Sequence, residues 1–184
     1  MNQIIIQYYK TPLGELVLGS IDDQLCLCDW RFRKMRKSID DRICKILKAS
    51  IKEGFSVVME KAIFQLDEYF SGFRQTFDLP LLLAGTDFQK RVWNGLLEVE
   101  YGQTSSYLEL SEKLGDKNAI RAVASANGAN AISIIVPCHR IIGTSGELVG
   151  YAGGLPAKEK LLTLENPAFG QKKTANSSQL MLEF

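Results

Sequence analysis

The sequence predicts a mixed α/β chain in which strands come first and helices follow. Three observations carry that prediction. Residues 3–9, 15–21 and 24–30 are short runs rich in Ile, Leu and Val, parted by turn residues. From about residue 38 onward, apolar residues recur at helical spacing behind capping residues. Composition shifts near Ala84-Gly85, which divides the chain into residues 1–84, residues 85–168 and a polar tail, 169–184, expected to be mobile.

Thr11-Pro12-Leu13-Gly14 turns the first run into the second, and Asp22-Asp23 turns the second into the third, giving an antiparallel meander. Arg31 to Lys37 then sets five basic residues in seven. A nucleic-acid patch is one reading; a solvated loop after an edge strand is preferred. Ser38-Ile39-Asp40-Asp41 has the look of a capping box and opens a short helix to about Ala49. A longer helix runs from about Val57 to Phe70, with Met59, Ala62, Ile63, Leu66 and Phe70 as its apolar stripe and Gly72 beyond its end. Residues 77–83 are extended and apolar. This half shows no catalytic constellation and reads as scaffold.

In the second half, Thr86-Asp87-Phe88-Gln89 is a capping box for a helix to about Val99. Ser106 to Leu114 is a short helix stopped by Gly115. Asp116 is placed to cap the next, about Lys117 to Ala126, which Asn127-Gly128 ends. Two short helices across a tight Gly turn make the helix-turn-helix pattern, which is weak alone. The second of them is slim, with Ala119, Ala122, Ala124, Ser125 and Ala126 around one long cation, Arg121. Tight packing explains part of that. A helix laid into a DNA groove, where bulk collides, is the functional alternative. Pro156 starts a last helix to about Glu165.

Composition excludes several classes. The 184 residues are 46% hydrophobic and 23% charged with a net charge of +1, ordinary for a globular chain, and the total charge alone predicts no nucleic-acid or membrane partner. No apolar run approaches the roughly 20 residues of a membrane helix. Met1 to Lys10 has no signal-peptide pattern, so the cytoplasm, with reduced thiols, is expected. Of the four cysteines, Cys26, Cys28 and Cys44 read as small hydrophobes rather than zinc ligands, with Cys26 and Cys28 on one face of a strand.

The chemistry concentrates in Ile135-Val136-Pro137-Cys138-His139-Arg140-Ile141-Ile142, read as a buried strand broken by Pro. It sets a cysteine, the strongest neutral-pH nucleophile among side chains, beside the only histidine. Gly150-Tyr151-Ala152-Gly153-Gly154 downstream reads as a pocket wall and lacks the features of a phosphate loop.

Taken together, Phe88-Gln89…Val92-Trp93, Tyr101-Gly102-Gln103-Thr104-Ser105-Ser106-Tyr107, Ile120-Arg121-Ala122-Val123, Asn130, Val136-Pro137-Cys138-His139-Arg140 and Tyr151-Ala152-Gly153-Gly154-Leu155 resemble the O6-alkylguanine-DNA alkyltransferases, also called methylated-DNA–protein-cysteine methyltransferases. The resemblance covers about residues 86–166 in the family's order and spacing. It implies a ribonuclease-H-like α/β domain before a mainly helical, winged-helix-like domain with a helix-turn-helix.

It also implies an activity: single-turnover DNA repair in which Cys138 takes an alkyl group from O6-alkylguanine in double-stranded DNA, with O4-alkylthymine left open. His139 would deprotonate Cys138 through a water, since neighbours in an extended segment point apart. Glu165 would orient His139, Asn130 would support the turn, and Tyr107 would donate to the guanine ring nitrogen. Arg121 would fill the gap left by the flipped base, with Ala122, Ser125 and Thr144 near the DNA. Pro137 and Tyr151 would be pocket walls, and Ile141, Ala152 and Gly153 would contact the base there. No cofactor and no metal are implied, and a monomer is expected.

Three positions depart from the family pattern: Glu100 for Pro, Ala152 for Ser and Asp116 for Asn. Residues 86–142 carry six Lys/Arg and six Asp/Glu, so modest affinity with shallow salt dependence is expected. Two other readings stay open: a non-catalytic module that binds alkylated DNA and flags it for another pathway, and a cysteine hydrolase. The tail segment Gln179-x-x-Leu182-x-Phe184 also resembles, loosely, the short motif by which bacterial repair proteins bind the sliding clamp.

Overall fold

The computed structural model describes residues 2–169. Strands β1 (Asn2–Thr11), β2 (Gly14–Ile21) and β3 (Gln24–Trp30) form the expected meander. Asp22 and Asp23 make the second hairpin turn, both at positive φ (48° and 56°), as a two-residue turn of this hand requires and as Asp tolerates.

Helix α1 (Arg36–Leu47) leads to a strand the sequence did not signal, β4 (Ala49–Glu53), which runs parallel to β1. The sheet order is β3-β2-β1-β4, the layout of the ribonuclease-H-like expectation. Lys48, left-handed at φ 49°, stops α1 before the expected Ala49. The edge strand is polar and mostly exposed, so its pattern was silent. The expected capping box also fails: α1 starts after Met35 with no side-chain cap, and Ser38 Oγ donates to the Met35 carbonyl instead.

The pairing of β2 with β3 slips at Gly19/Ser20. Gly19 faces Leu27 and Ser20 faces Leu25, which leaves Cys26 as a bulge. The bulge reverses the alternation, so Cys26 packs with Ile4, Ile39 and Ile43 while Cys28 packs with Leu16, Met59 and Val136. The expectation that both cysteines share a face is therefore corrected.

Helix α2 (Val57–Phe70), capped by Ser56, lays Met59, Ala62 and Leu66 into the core. Residues 77–83 then run along β3, with Leu25 N–H donating to Pro80 O and Leu82 N–H to Leu25 O.

Helix α3 (Asp87–Leu97) opens on the expected capping box of Thr86 and Gln89. After β5 (Ser105–Ser106), α4 (Tyr107–Lys113) opens on a second box, Ser106 with Glu109. The next helix, α5 (Ile120–Gly128), begins later than expected: Asp116 accepts from Asn118 N–H in a local turn and caps nothing. It also extends past Ala126, which puts Asn127 on the helix.

Strand β6 (Ile141–Ile142) pairs with β5, and α6 (Leu155–Glu165) follows, starting one residue before the expected Pro156. One continuous core joins Leu16 and Leu18 of the sheet to Val92, Leu96 and Val136 from beyond residue 85. Among the described residues, no helix is long and apolar enough to cross a membrane. The segment matching a clamp-binding motif, 179–184, lies outside the described residues.

Candidate active site

The segment read as a strand is a chain of tight turns. Ile135 N–H donates to Ser133 O across Ile134, which sits at φ 72°, and Cys138 N–H donates to Val136 O across Pro137. Each is a three-residue turn; the first places a bulky β-branched residue in a strained conformation. Residues Cys138–Arg140 then form one 3₁₀ turn. Asn130 holds the arrangement from inside: its Nδ2 donates to Val136 O and Ile132 O, and its Oδ1 accepts from Ile132 N–H. A buried amide meets these backbone groups where no ladder does, which is why the segment cannot lie flat in a sheet.

Cys138 is 3% exposed, and burial pushes its thiol above the ordinary value, with the Asn130 amide drawing it partly back. His139 is wholly buried. Its Nε2 lies 2.8 Å from Glu165 Oε1. Burial pushes the Glu165 carboxyl up, but hydrogen bonds and charge from His139 and Arg140 outweigh that and hold it at about 2.

An ionised carboxylate only accepts. Nε2 therefore carries the ring proton, and Nδ1 carries the lone pair. Burial pulls the His139 pKa below the ordinary value, against the pull of Glu165. Nδ1 is buried and has no hydrogen-bond partner among the described residues, so it is the ring's free acceptor.

Glu165 is further bound by Tyr69 Oη (2.7 Å), Arg140 Nε and Nη2 (2.8 and 3.0 Å) and Gly102 N–H (3.3 Å). Gly102 sits at φ 76°, and a Cβ there would stand 3.0 Å from Glu165 O, which explains a glycine after Tyr101.

Cys138 lies on a cavity of about 300 Å³, shared with Tyr107, Ala124, Asn127, Gly128, Asn130, Tyr151 and Ala152. Tyr107 leads α4, and Ala124, Asn127 and Gly128 come from α5. The Tyr107 phenol, its pKa raised by burial, accepts from Asn127 Nδ2 at 3.4 Å. On α5, Arg121 stands one turn before Ala124 and on the same side; Arg121, Ala122 and Ser125 are exposed.

A family model for "6-O-methylguanine DNA methyltransferase, DNA binding domain" matches residues 87–167. A methylated-DNA–protein-cysteine methyltransferase of Methanosarcina acetivorans is 40% identical over 157 residues, 85% of this chain and 95% of that protein. The chain belongs to that family. The enzyme of the same name from Mycobacterium tuberculosis is 55% identical over 104 residues, which span 56% of this chain and 63% of the relative. A crystal structure of M. tuberculosis OGT in complex with DNA superposes with a TM-score of 0.75 at 39% identity, over 90% of this chain and 93% of that one.

Within the family motifs, the geometry brings together Cys138, His139, Glu165, Asn130, Tyr107, Tyr151 and Ala152. Other expected pocket residues lie elsewhere. Pro137 is buried and lines a separate cavity with Tyr101 and Arg140. The Ile141 carbonyl is taken by Lys158 Nζ at 2.5 Å. Thr144 is at an exposed turn in which Glu147 accepts from Ser145. Gly153 lies behind Ala152, where a Cβ would strike the Trp30 ring at 2.4 Å.

The structure adds residues that sequence reasoning passed over. Lys158, fully buried on α6, donates to the carbonyls of Ile141 and Val149 (2.5 and 2.6 Å) and so ties the 143–150 loop to the Cys138 turn. Burial pulls its ammonium down to about 8. A helix lysine is ordinarily exposed, so nothing marked it. Arg33, Lys34 and Met35 also line the Cys138 cavity. The basic run is thus no mere solvated loop, and two of its members, Arg33 and Arg36, donate to the buried Asp29.

Proposed function

We infer that this protein repairs DNA by moving an alkyl group from the O6 atom of guanine to Cys138, once per molecule. The observation that carries the reading is a buried cysteine on a cavity walled by α5, backed by a histidine whose free nitrogen is set by an ionised glutamate. In this reading residues 85–168 hold the reaction and the DNA face, residues 1–84 support them, and the partner is double-stranded DNA.

The chemistry follows from the environment. With the thiol pKa raised and the imidazole pKa lowered, the resting pair is neutral. His139 Nδ1 takes the thiol proton through a bridging water as the reaction proceeds. The sulfur bonds to the alkyl carbon, and the carbon–oxygen bond breaks with its electron pair moving onto O6 and into the ring. Tyr107 offers its phenol proton to a ring nitrogen as that charge arrives. The base ends with hydrogen in place of the alkyl group, and Cys138 ends as a thioether. Because a thioether does not hydrolyse, the protein is consumed. Arg121, on the α5 face beside the cavity, fills the space the extruded nucleotide leaves.

The reduced, buried thiol fits a cytoplasmic protein, and we expect it to act as a monomer. Incubation with duplex DNA carrying O6-methylguanine will add one methyl group to Cys138, read by intact-mass and peptide analysis. A protein that binds this DNA without gaining the methyl group would be the flagging module instead.

A further inference from the structure

Asn127 has no part in the alkyl-transfer chemistry above, and Asn127-Gly128 reads in the sequence as a helix stop. It is instead on the last turn of α5, 5% exposed, on the wall of the Cys138 cavity. Its Nδ2 donates to the Tyr107 phenol oxygen at 3.4 Å, and its Oδ1 is buried with no hydrogen-bond partner among the described residues. A buried amide with an idle oxygen is an expensive way to join two helices, because an apolar side chain of similar size would pack there without a stranded acceptor. The position calls for an N–H.

A phenol has one proton to give. If a neighbour accepts that proton, the phenol has none for the cavity. If the neighbour donates to the phenol oxygen, the proton turns the other way and becomes a better donor, because hydrogen bonds in series polarise one another. Asn127 donates to that hydroxyl, and both residues line the cavity that holds Cys138.

We propose that Asn127 is a positioning residue for alkyl transfer: its amide N–H, donated to Tyr107, aims the Tyr107 proton at the ring nitrogen of the departing base. The proposal rests on the alkyl-transfer reading above. The same contact lowers the pKa of the Tyr107 phenol against the larger upward push of burial, which favours donation. No net proton moves through Asn127; it sets which way the phenol's hydrogen points while the carbon–oxygen bond breaks.

The test is a double-mutant cycle on single-turnover methyl transfer from duplex DNA containing O6-methylguanine, with DNA affinity measured in parallel. Losing one such hydrogen bond makes Asn127→Ala about tenfold slower than wild type, with DNA affinity nearly unchanged. Asn127→Asp is slower still, because a carboxylate draws the phenol proton towards itself. In a Tyr107→Phe background neither substitution has any further effect on the rate. An equal loss with and without the phenol makes Asn127 a packing residue and overturns the proposal. So does an Asn127→Asp protein faster than Asn127→Ala, which would mean that Tyr107 donates to Asn127. Wild-type protein that never gains the methyl group sinks the alkyl-transfer reading itself, a result the cycle keeps separate.

Discussion

Asp29 and Glu165 are both carboxylates with no exposed side-chain surface, and both are wrapped in donors. Asp29 accepts from Trp30 N–H, Ser133 Oγ, Arg33 and Arg36 at 2.7–2.9 Å. Glu165 accepts from Tyr69, Arg140, Gly102 and His139. The difference is one donor. Every cation on Asp29 is an arginine, which keeps its proton, whereas Glu165 holds a histidine whose other nitrogen is free. The first is a clamp: Arg33 goes on to the carbonyls of Asn130 and Gly128, so the sheet grips the segment that carries the Cys138 turn. The second is a clamp with a titrating end, on the residue next to Cys138. In the proposed reaction, similar burial and similar donors thus serve structure in one place and proton transfer in the other.

The comparison breaks most visibly at Asp29. Asp29→Ala leaves two arginines without their buried partner and costs about 3–5 kcal/mol of folding stability, measured by denaturant unfolding. If Asp29 is only a clamp, the pH dependence of transfer by the remaining folded protein stays where it was. A moved pH profile would put Asp29 inside the proton relay.

Glu165 makes the opposite contrast through pH. Its folded pKa, about 2, lies below the roughly 4.3 of an unfolded glutamate, so it adds stability above that value. The contribution, about 3 kcal/mol by linkage, is lost as pH falls from about 4.5 through 2. Glu165→Gln removes this part of the acid transition. The same substitution slows methyl transfer by on the order of 10²-fold, the range expected for losing an effective general base. His139, deprived of its carboxylate, becomes a weaker base, so the residual rate reaches its plateau at lower pH than in wild type. A substitution that costs stability alone leaves the plateau in place.

How much of this was legible follows the same division. Cys138 and His139 could be read because their types are tied to chemistry, and Asn130 and Tyr107 because they stand in motifs that resemble the family's. Helices α2 and α3 were legible from local signals, the apolar stripe of the first and the Thr86 capping box of the second. What escaped was set by partners distant in sequence. β4 exists because β1 offers an edge, and nothing in Ala49–Glu53 announces it. The Cys26 bulge comes from the pairing register, which no run of residues displays. The Cys138 segment looks like a strand in composition and becomes a set of turns because Asn130 and Lys158 take its carbonyls. Arg33 and Arg36 read as solvent-facing charge because Asp29, at the end of a strand, gave no sign that it would be buried. Fold class survived these misses because it depends on the apolar pattern.

The smallest predicted effect is also the sharpest use of the pairing. Ser133 and Tyr69 each donate one hydroxyl to a buried carboxylate, to Asp29 at 2.9 Å and to Glu165 at 2.7 Å. Ser133→Ala and Tyr69→Phe each delete that hydroxyl and little else. Both lose roughly 1.5 kcal/mol of stability, the low end for a hydrogen bond to a charged group. Their effects on the reaction differ in kind. Without the Tyr69 hydroxyl, the negative charge of Glu165 is less shared and bears more strongly on His139, whose imidazolium form is then favoured and whose pKa rises. The rise of transfer rate with pH moves to higher pH in Tyr69→Phe. Ser133→Ala has no route to the imidazole and leaves the profile unmoved. Equal shifts in the two proteins would mean that the clamp and the relay are one network; no shift in either would mean that His139 is not the base.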